Sequence, residues 1–260
     1  REIPETLADM IDLRPYDFAD FGCSTGGSMD FAAKTFDGGP AVGIDINPAK
    51  VERTRAAGHH AVVADATKPK LFKGTVRFSM LSHFLEHLPD YATLARAIRT
   101  AVPISDEFVF IRQPWFDSDG ELFRHGLKFY WSDWHGHPMT MTSLQMYRCV
   151  RKHLQSGKLA RATILGHQPI LGSDSDCVVP LSVPMDSGSY DAATHGPKAS
   201  VEFAVPAYRE LVTVLIKRDP DTLDSLLTRF PTAIPLYDER GQVDGSPADP
   251  SRLLSRFTGG

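Results

Sequence analysis

The chain has little cysteine, no long apolar run and no excess of basic charge. Its three cysteines, Cys23, Cys149 and Cys177, stand far apart with no C-x-x-C pair. That excludes a disulfide framework and a cysteine-built zinc site, and it fits a reducing compartment. No apolar stretch approaches the roughly 18 residues that cross a bilayer, and no basic start leads into an apolar signal core. The expectation is a cytoplasmic protein without a membrane span. With a net charge of −4, no global field invites nucleic acid, and the basic cluster Lys68, Lys70, Lys73 and Arg77 reads as a solvated face. The sequence opens at Arg1 rather than Met, so some of the true N-terminus is expected to be missing.

What is present is an ordinary globular composition over 260 residues, enough for one large domain with a substantial core. From Tyr16 onward, short apolar runs (YDFADFG, AVGIDI, HHAVVADA, VRFSMLSHF, DEFVFIRQP) alternate with helical stretches such as SMDFAAKTF and DYATLARAIRTAV. Strands alternating with helices of about 10 to 15 residues predict an α/β fold, a doubly wound and mostly parallel sheet covered on both faces. Residues 115–141 hold all three tryptophans and three histidines in what is expected to be largely loop. A helix is predicted from Thr142 to about Gln155, then a strand at ARATILGH, a Gly-, Ser- and Pro-rich excursion over 172–206, and a late strand at AYRELVTVLIKR. The expected organisation is one domain over 1–218 with insertions at 115–141 and 172–206. A C-terminal extension over 219–260 follows, with one helical patch at TLDSLLTRF.

Two motifs carry chemistry. HFLEH at residues 83–87 matches H-x-x-E-H, the inverted zinc-peptidase signature, which needs His83, Glu86 and His87 on one helical face. Its place after the fourth strand puts His83 at a strand end and the others in a turn, and no third ligand is evident. DFGCSTGG lies where the first strand meets the first helix, where a ligand can approach the main chain only if side chains are small. The dinucleotide fingerprint G-x-G-x-x-G would need a glycine where Ser24 stands, and Asp20 just before Gly22 would repel a phosphate but suit an amino-acid cation.

In its order of motifs the sequence resembles the class I S-adenosylmethionine-dependent methyltransferases. DFGCSTG matches their D-x-G-x-G-x-G except at Ser24, GIDINP ends the second strand with Asp45, ADAT places Asp65 after the third, and MLSHFLEHLPD is similar to the fourth motif of the subgroup that methylates small molecules. The resemblance implies a Rossmann-like seven-stranded sheet whose last strand is antiparallel. It also implies S-adenosyl-L-methionine as cofactor and S-adenosyl-L-homocysteine as product. The implied cofactor-binding residues are Asp20, Gly22, Cys23, Ser24 and Gly26 in the first turn, Asp45 and Ile46 at the ribose, Asp65 and Ala66 at the adenine, and Leu81 and Ser82 at the fourth strand end.

The acceptor is expected to be a small molecule such as a sugar, a glycan or lipid precursor or a secondary metabolite, methylated at oxygen. Candidate bases are His135, His137 and His87, since a hydroxyl must lose its proton and histidine does so near neutral pH. His83, Tyr130, Trp131 and Trp134 are the candidate substrate-binding residues. A divalent metal held by His83, Glu86 and His87 with Asp133 is conceivable but not favoured. Two other classes stay open: a cofactor-binding protein without catalysis, and a nicotinamide-dependent oxidoreductase, which Ser24 and Asp20 disfavour.

Overall fold

In the computed structural model, which describes residues 10–239, the apolar runs become the strands of one mixed sheet. These are β1 (Phe18–Phe21), β2 (Ala41–Asp45), β3 (Ala61–Val63), β4 (Val76–Ser82), β5 (Ser105–Pro114), β6 (Arg161–Gly172), β7 (Glu202–Ile216) and β8 (Ile234–Asp238), in the spatial order β8-β6-β7-β5-β4-β1-β2-β3. Strands β1 to β5 pair in parallel. Strand β7 runs antiparallel between β5 and β6, as the late-strand reading implies.

The period-2 alternation of each strand builds two cores. Phe18, Phe78, Phe108 and Phe110 face one side, where α1 (Gly27–Phe36) and the short helix α6 (Thr222–Leu227) cover them. The Phe36 ring sits 4.9 Å from that of Phe110 and 5.5 Å from that of Phe108, so α1 is anchored by aromatic contact. Ala19, Phe21, Val42, Ile44, Val109 and Ile111 face the other side, under α3 (Tyr91–Ile104) and α5 (Ser143–Gln155). Helix starts follow local chemistry. Asn47 accepts from Ala49 N ahead of α2 (Pro48–Ala56), Asp90 accepts from Thr93 N at α3, and Thr142 and Gln145 form a capping box at α5.

The sheet has one strand more than the seven expected. Residues 234–238, inside the predicted extension, pair antiparallel with β6, and Arg161 ties the region together through Asp224 and Asp238 at 2.9 and 2.7 Å. The remainder of that extension, 240–260, and the first nine residues of the expected domain lie outside the described residues. The stretch 115–141 is more ordered than a loop. It carries α4 (Asp119–Arg124), a short strand Leu127–Phe129 paired with Val178–Pro180 from the later excursion, and a turn of 3₁₀-helix over Tyr130–Asp133. The two insertions therefore brace each other above the carboxyl ends of β4 and β5. No helix of the described residues is long and apolar enough to cross a membrane.

Candidate functional site

The carboxyl ends of β1, β2, β3 and β4 surround a cavity of about 210 Å³ lined by Gly22, Ser24, Asp45, Ile46, Lys50, Asp65, Ala66 and Thr67, and closed by His83, Phe84, His87 and Leu88. The Asp45 carboxylate is fixed by main-chain donors, with Oδ2 accepting from Ser24 N at 3.1 Å and Oδ1 from Asn47 N at 2.8 Å. Each oxygen keeps lone-pair capacity for a ligand donor. Asp65 is held likewise, its Oδ1 accepting from Thr67 N and Thr67 Oγ1 at 2.9 and 2.7 Å. Beside them the apolar Ile46 side chain is 56% exposed, a surface that a flat ligand could cover.

The first turn is built to bend sharply: Gly22, Ser24 and Gly26 all have positive φ, 77°, 49° and 96°. At Gly22 and Gly26 the missing side chain also makes room for protein. A Cβ at Gly22 would lie 2.3 Å from the Phe84 ring, and one at Gly26 would lie 2.7 Å from His59. Below the turn Asp20 is fully buried; Ser28 Oγ donates to its Oδ2, while Oδ1 has no partner among the described residues. Burial pushes Asp20 up to about 7, against the opposing pull of the Ser28 hydroxyl and Arg112.

A second cavity, of about 450 Å³, shares His83 and His87 with the first and is lined by Glu86, Tyr130, Trp131, Trp134, His137 and Glu210 among others. Trp131 is packed flat on Phe129 and donates from its indole to Trp115 O at 2.8 Å, so this wall is rigid. At the cavity's edge runs a chain of charge. His83, in a left-handed conformation at φ 49°, meets Glu86 Oε1 through Nδ1 at 3.3 Å and Glu210 Oε1 through Nε2 at 3.1 Å; His167 Nδ1 lies 2.9 Å from Glu210 Oε2. Burial opposes a charge on His83, but Glu210 and Glu86 outweigh it and push the ring up to about 9. Burial would raise Glu210, yet His167, His83 and Arg112 together hold it down at about 2.

The sequence-predicted residues separate into three groups. Gly22, Ser24, Asp45, Ile46, Asp65 and Ala66 line the first cavity together, and His83, His87, His137, Tyr130, Trp131 and Trp134 line the second. Asp20, Cys23, Gly26, Leu81 and Ser82 line neither. Asp20, Cys23, Leu81 and Ser82 are buried, and Ser82 Oγ accepts from Arg112 Nε at 3.0 Å. His135 also stands outside. Its side chain is 78% exposed and holds Asp186 at 2.8 Å, because the tight turn in which His137 N donates to Trp134 O sends the two histidines apart. Asp133 is engaged by Lys128 Nζ at 2.5 Å and leaves the candidate metal set. His83, Glu86 and His87 share no α-helical face either: His83 precedes a single 3₁₀ turn over Leu85–His87, which removes the geometry a zinc peptidase needs.

Glu210, Arg112 and Phe84 escaped the sequence reading. Each of the two charged residues interrupts an apolar strand, Arg112 in FVFIRQP and Glu210 in YRELVTV, and a charge inside a buried run is the signal that could have found them. Phe84 has no such signal.

Comparison with known proteins adds the following. Residues 2–153 match the family described as a methyltransferase domain. Among solved structures, the chain is similar to a SAM-dependent methyltransferase from Archaeoglobus fulgidus, with 16% identity over 79% of this chain and 91% of that one and a TM-score of 0.50. It is also similar to a chain of the structure described as a complex between the Haloferax volcanii Trm112 methyltransferase activator and a candidate methyltransferase, with 13% identity over 78% and 82% of the two chains and a TM-score of 0.50. At these identities the likeness shows the fold. A comparison with curated proteins gives no match.

Proposed function

The chain belongs to the methyltransferase-domain family, and from that premise we propose that it is a class I S-adenosylmethionine-dependent enzyme that methylates a hydroxyl oxygen of a small molecule seated in the aromatic-walled cavity. The observation that carries this reading is the shared wall: His83 and His87 line both the cavity with the fixed carboxylates and the cavity with the tryptophans, so the two lie side by side.

The residues of the first cavity suit the cofactor. The held carboxylate of Asp45 can accept from both ribose hydroxyls, the exposed Ile46 can cover one adenine face, and Asp65, Ala66 and Thr67 lie where the adenine edge would be read. Asp20, Cys23, Gly26, Leu81 and Ser82, which line neither cavity, shape the turn and strand end from beneath. The cofactor supplies a methyl group on a sulfonium.

The second cavity holds the acceptor between Tyr130, Trp131 and Trp134, which suit a sugar or another flat, amphipathic molecule. Methyl transfer forms an oxygen–carbon bond, breaks a carbon–sulfur bond and releases the hydroxyl proton. The protein's contribution is to hold the acceptor oxygen in line and to receive that proton. The Nε2 atoms of His87 and His137 are placed for it. Each ring donates from Nδ1 to a main-chain carbonyl, Gly136 O at 2.6 Å and Trp131 O at 2.9 Å, so the neutral ring carries its lone pair on Nε2. Burial pushes His137 below the usual histidine range, which keeps that lone pair available at neutral pH. The exposed ion pair of His135 leaves the base role to these two. The three cysteines are free and buried, which supports a reducing compartment as the place of action.

The test is transfer of a labelled methyl group from S-adenosylmethionine to a panel of small hydroxylated metabolites, with mass spectrometry for the gain of one methylene. Transfer to an oxygen is the expected result. Transfer only to amines would overturn the oxygen assignment, and cofactor binding without transfer to anything in cell extracts would favour a non-catalytic cofactor-binding protein.

A further inference from the structure

We propose that Glu86, His87 and His137 form a binding site for one divalent transition-metal cation, open toward the aromatic-walled cavity. The ligand atoms of the three lie within 4.8 Å of one another. Donors around one small cation stand about 3 Å apart, since each bond is about 2.1 Å, so the three side chains draw closer together when the cation binds.

Three features distinguish this group from a chance meeting of polar residues. Both rings are fixed at Nδ1 by a main-chain carbonyl, the arrangement that orients a metal-bound histidine and leaves Nε2 as the ligand atom. The rings stand 5.1 Å apart, and among the described residues neither Nε2 has a hydrogen-bond partner. Glu86 is only 1% exposed, and its buried Oε2 has no hydrogen-bond partner among the described residues. An unpaired buried carboxylate oxygen costs free energy that a cation would recover. The nearby positive groups are committed elsewhere: Arg112 to Ser82 and Glu210, Arg209 to Asp176, Lys128 to Asp133.

The ligand set differs from the H-x-x-E-H pattern in the sequence. His83 is excluded because both its ring nitrogens are engaged by Glu86 and Glu210, and its place is taken by His137 from the insertion. Two imidazoles and one carboxylate suit Zn²⁺, Mn²⁺, Fe²⁺ or Co²⁺ better than Mg²⁺ or Ca²⁺, which prefer oxygen alone. Three protein ligands leave coordination positions open on the cavity side, where an acceptor hydroxyl could bind and be acidified; with the cation bound, the Nε2 lone pairs of His87 and His137 are no longer bases and the hydroxyl proton passes to water. That last role rests on the methyl-transfer reading. The binding of the cation does not.

The experiment uses the untagged full chain, stripped with a chelator and titrated with Co²⁺ while its visible absorption is read. Saturation at one equivalent is expected, with affinity at least about tenfold weaker in His137→Ala and in Glu86→Gln, competition by Zn²⁺, and no change in His125→Ala, which alters an exposed histidine elsewhere. Thermal melts confirm that each variant is folded. Calorimetry with S-adenosylmethionine on the same samples separates the two proposals. Cofactor binding with no saturable Co²⁺ signal, or a signal that His137→Ala leaves unchanged, overturns the cation site. A cation site in a chain that does not bind the cofactor supports this inference and overturns the methyl-transfer reading.

Discussion

The two cavities meet at His83 and His87 but are built differently. The first is made by strand ends and the turns directly after them, with Gly22, Ser24, Asp45 and Asp65 each within a few residues of β1, β2 or β3. The second draws Glu86 from the turn after β4, Tyr130, Trp134 and His137 from an insertion, and Glu210 from β7. The first is therefore a property of the fold, and the second is a property of this chain's loops. Cofactor chemistry should depend on the one, acceptor chemistry on the other.

The sharpest break of that division is His137→Ala. Turnover is expected to fall by about 10²-fold or more, with the cofactor dissociation constant unchanged, as read by steady-state rates beside calorimetry. A loss of cofactor affinity instead would merge the two cavities into one functional unit. Asp45→Ala should do the converse: it weakens S-adenosylmethionine binding by about 1 to 3 kcal/mol, because ribose hydroxyls lose their acceptor. An unchanged dissociation constant would remove Asp45 from the cofactor site.

Two acids, one fully buried and one half-buried, sharpen the contrast through pH. Glu210, beside the second cavity, is held at about 2 against an ordinary 4.5, so it stabilises the fold above about pH 4.5, and that contribution is lost as pH falls toward 2. Asp20, beneath the cofactor turn, is raised to about 7 from 3.8. The folded state then holds a proton that the unfolded chain releases, so stability falls as pH rises from about 4 to about 7. Denaturant melts across this range should show opposite slopes in the two windows. Glu210→Gln should flatten the first and Asp20→Asn the second; an unaltered slope in either variant refutes the assignment. The smallest effect belongs to His135→Ala, which disrupts an exposed ion pair and should leave turnover within about twofold. A large loss there would return His135 to the list of bases.

The division also explains what the sequence could show. Around the first cavity, position follows from local rules: a glycine after a strand, an acid at the next strand end, an N-cap at Asn47. The strands, the parallel pairing and the residues Asp45 and Asp65 were therefore readable. Around the second, position depends on contacts between distant segments. Glu210 reaches His83 across 127 positions, and a turn at Trp134 decides that His137 faces inward and His135 outward. Two histidines in HGHP look alike until that turn is known. Strand β8 was hidden for another reason: IPLYD is short, holds a proline and forms the edge of the sheet, so its pairing with β6 leaves little periodicity to read.

The central claim is that the strand-end cavity is a site for S-adenosylmethionine, and titration calorimetry with that cofactor, its demethylated product and NAD tests it most directly. One-to-one binding of the first two, weakened by Asp45→Ala, with no heat from NAD, is the predicted result. Binding of NAD in preference to both would contradict it.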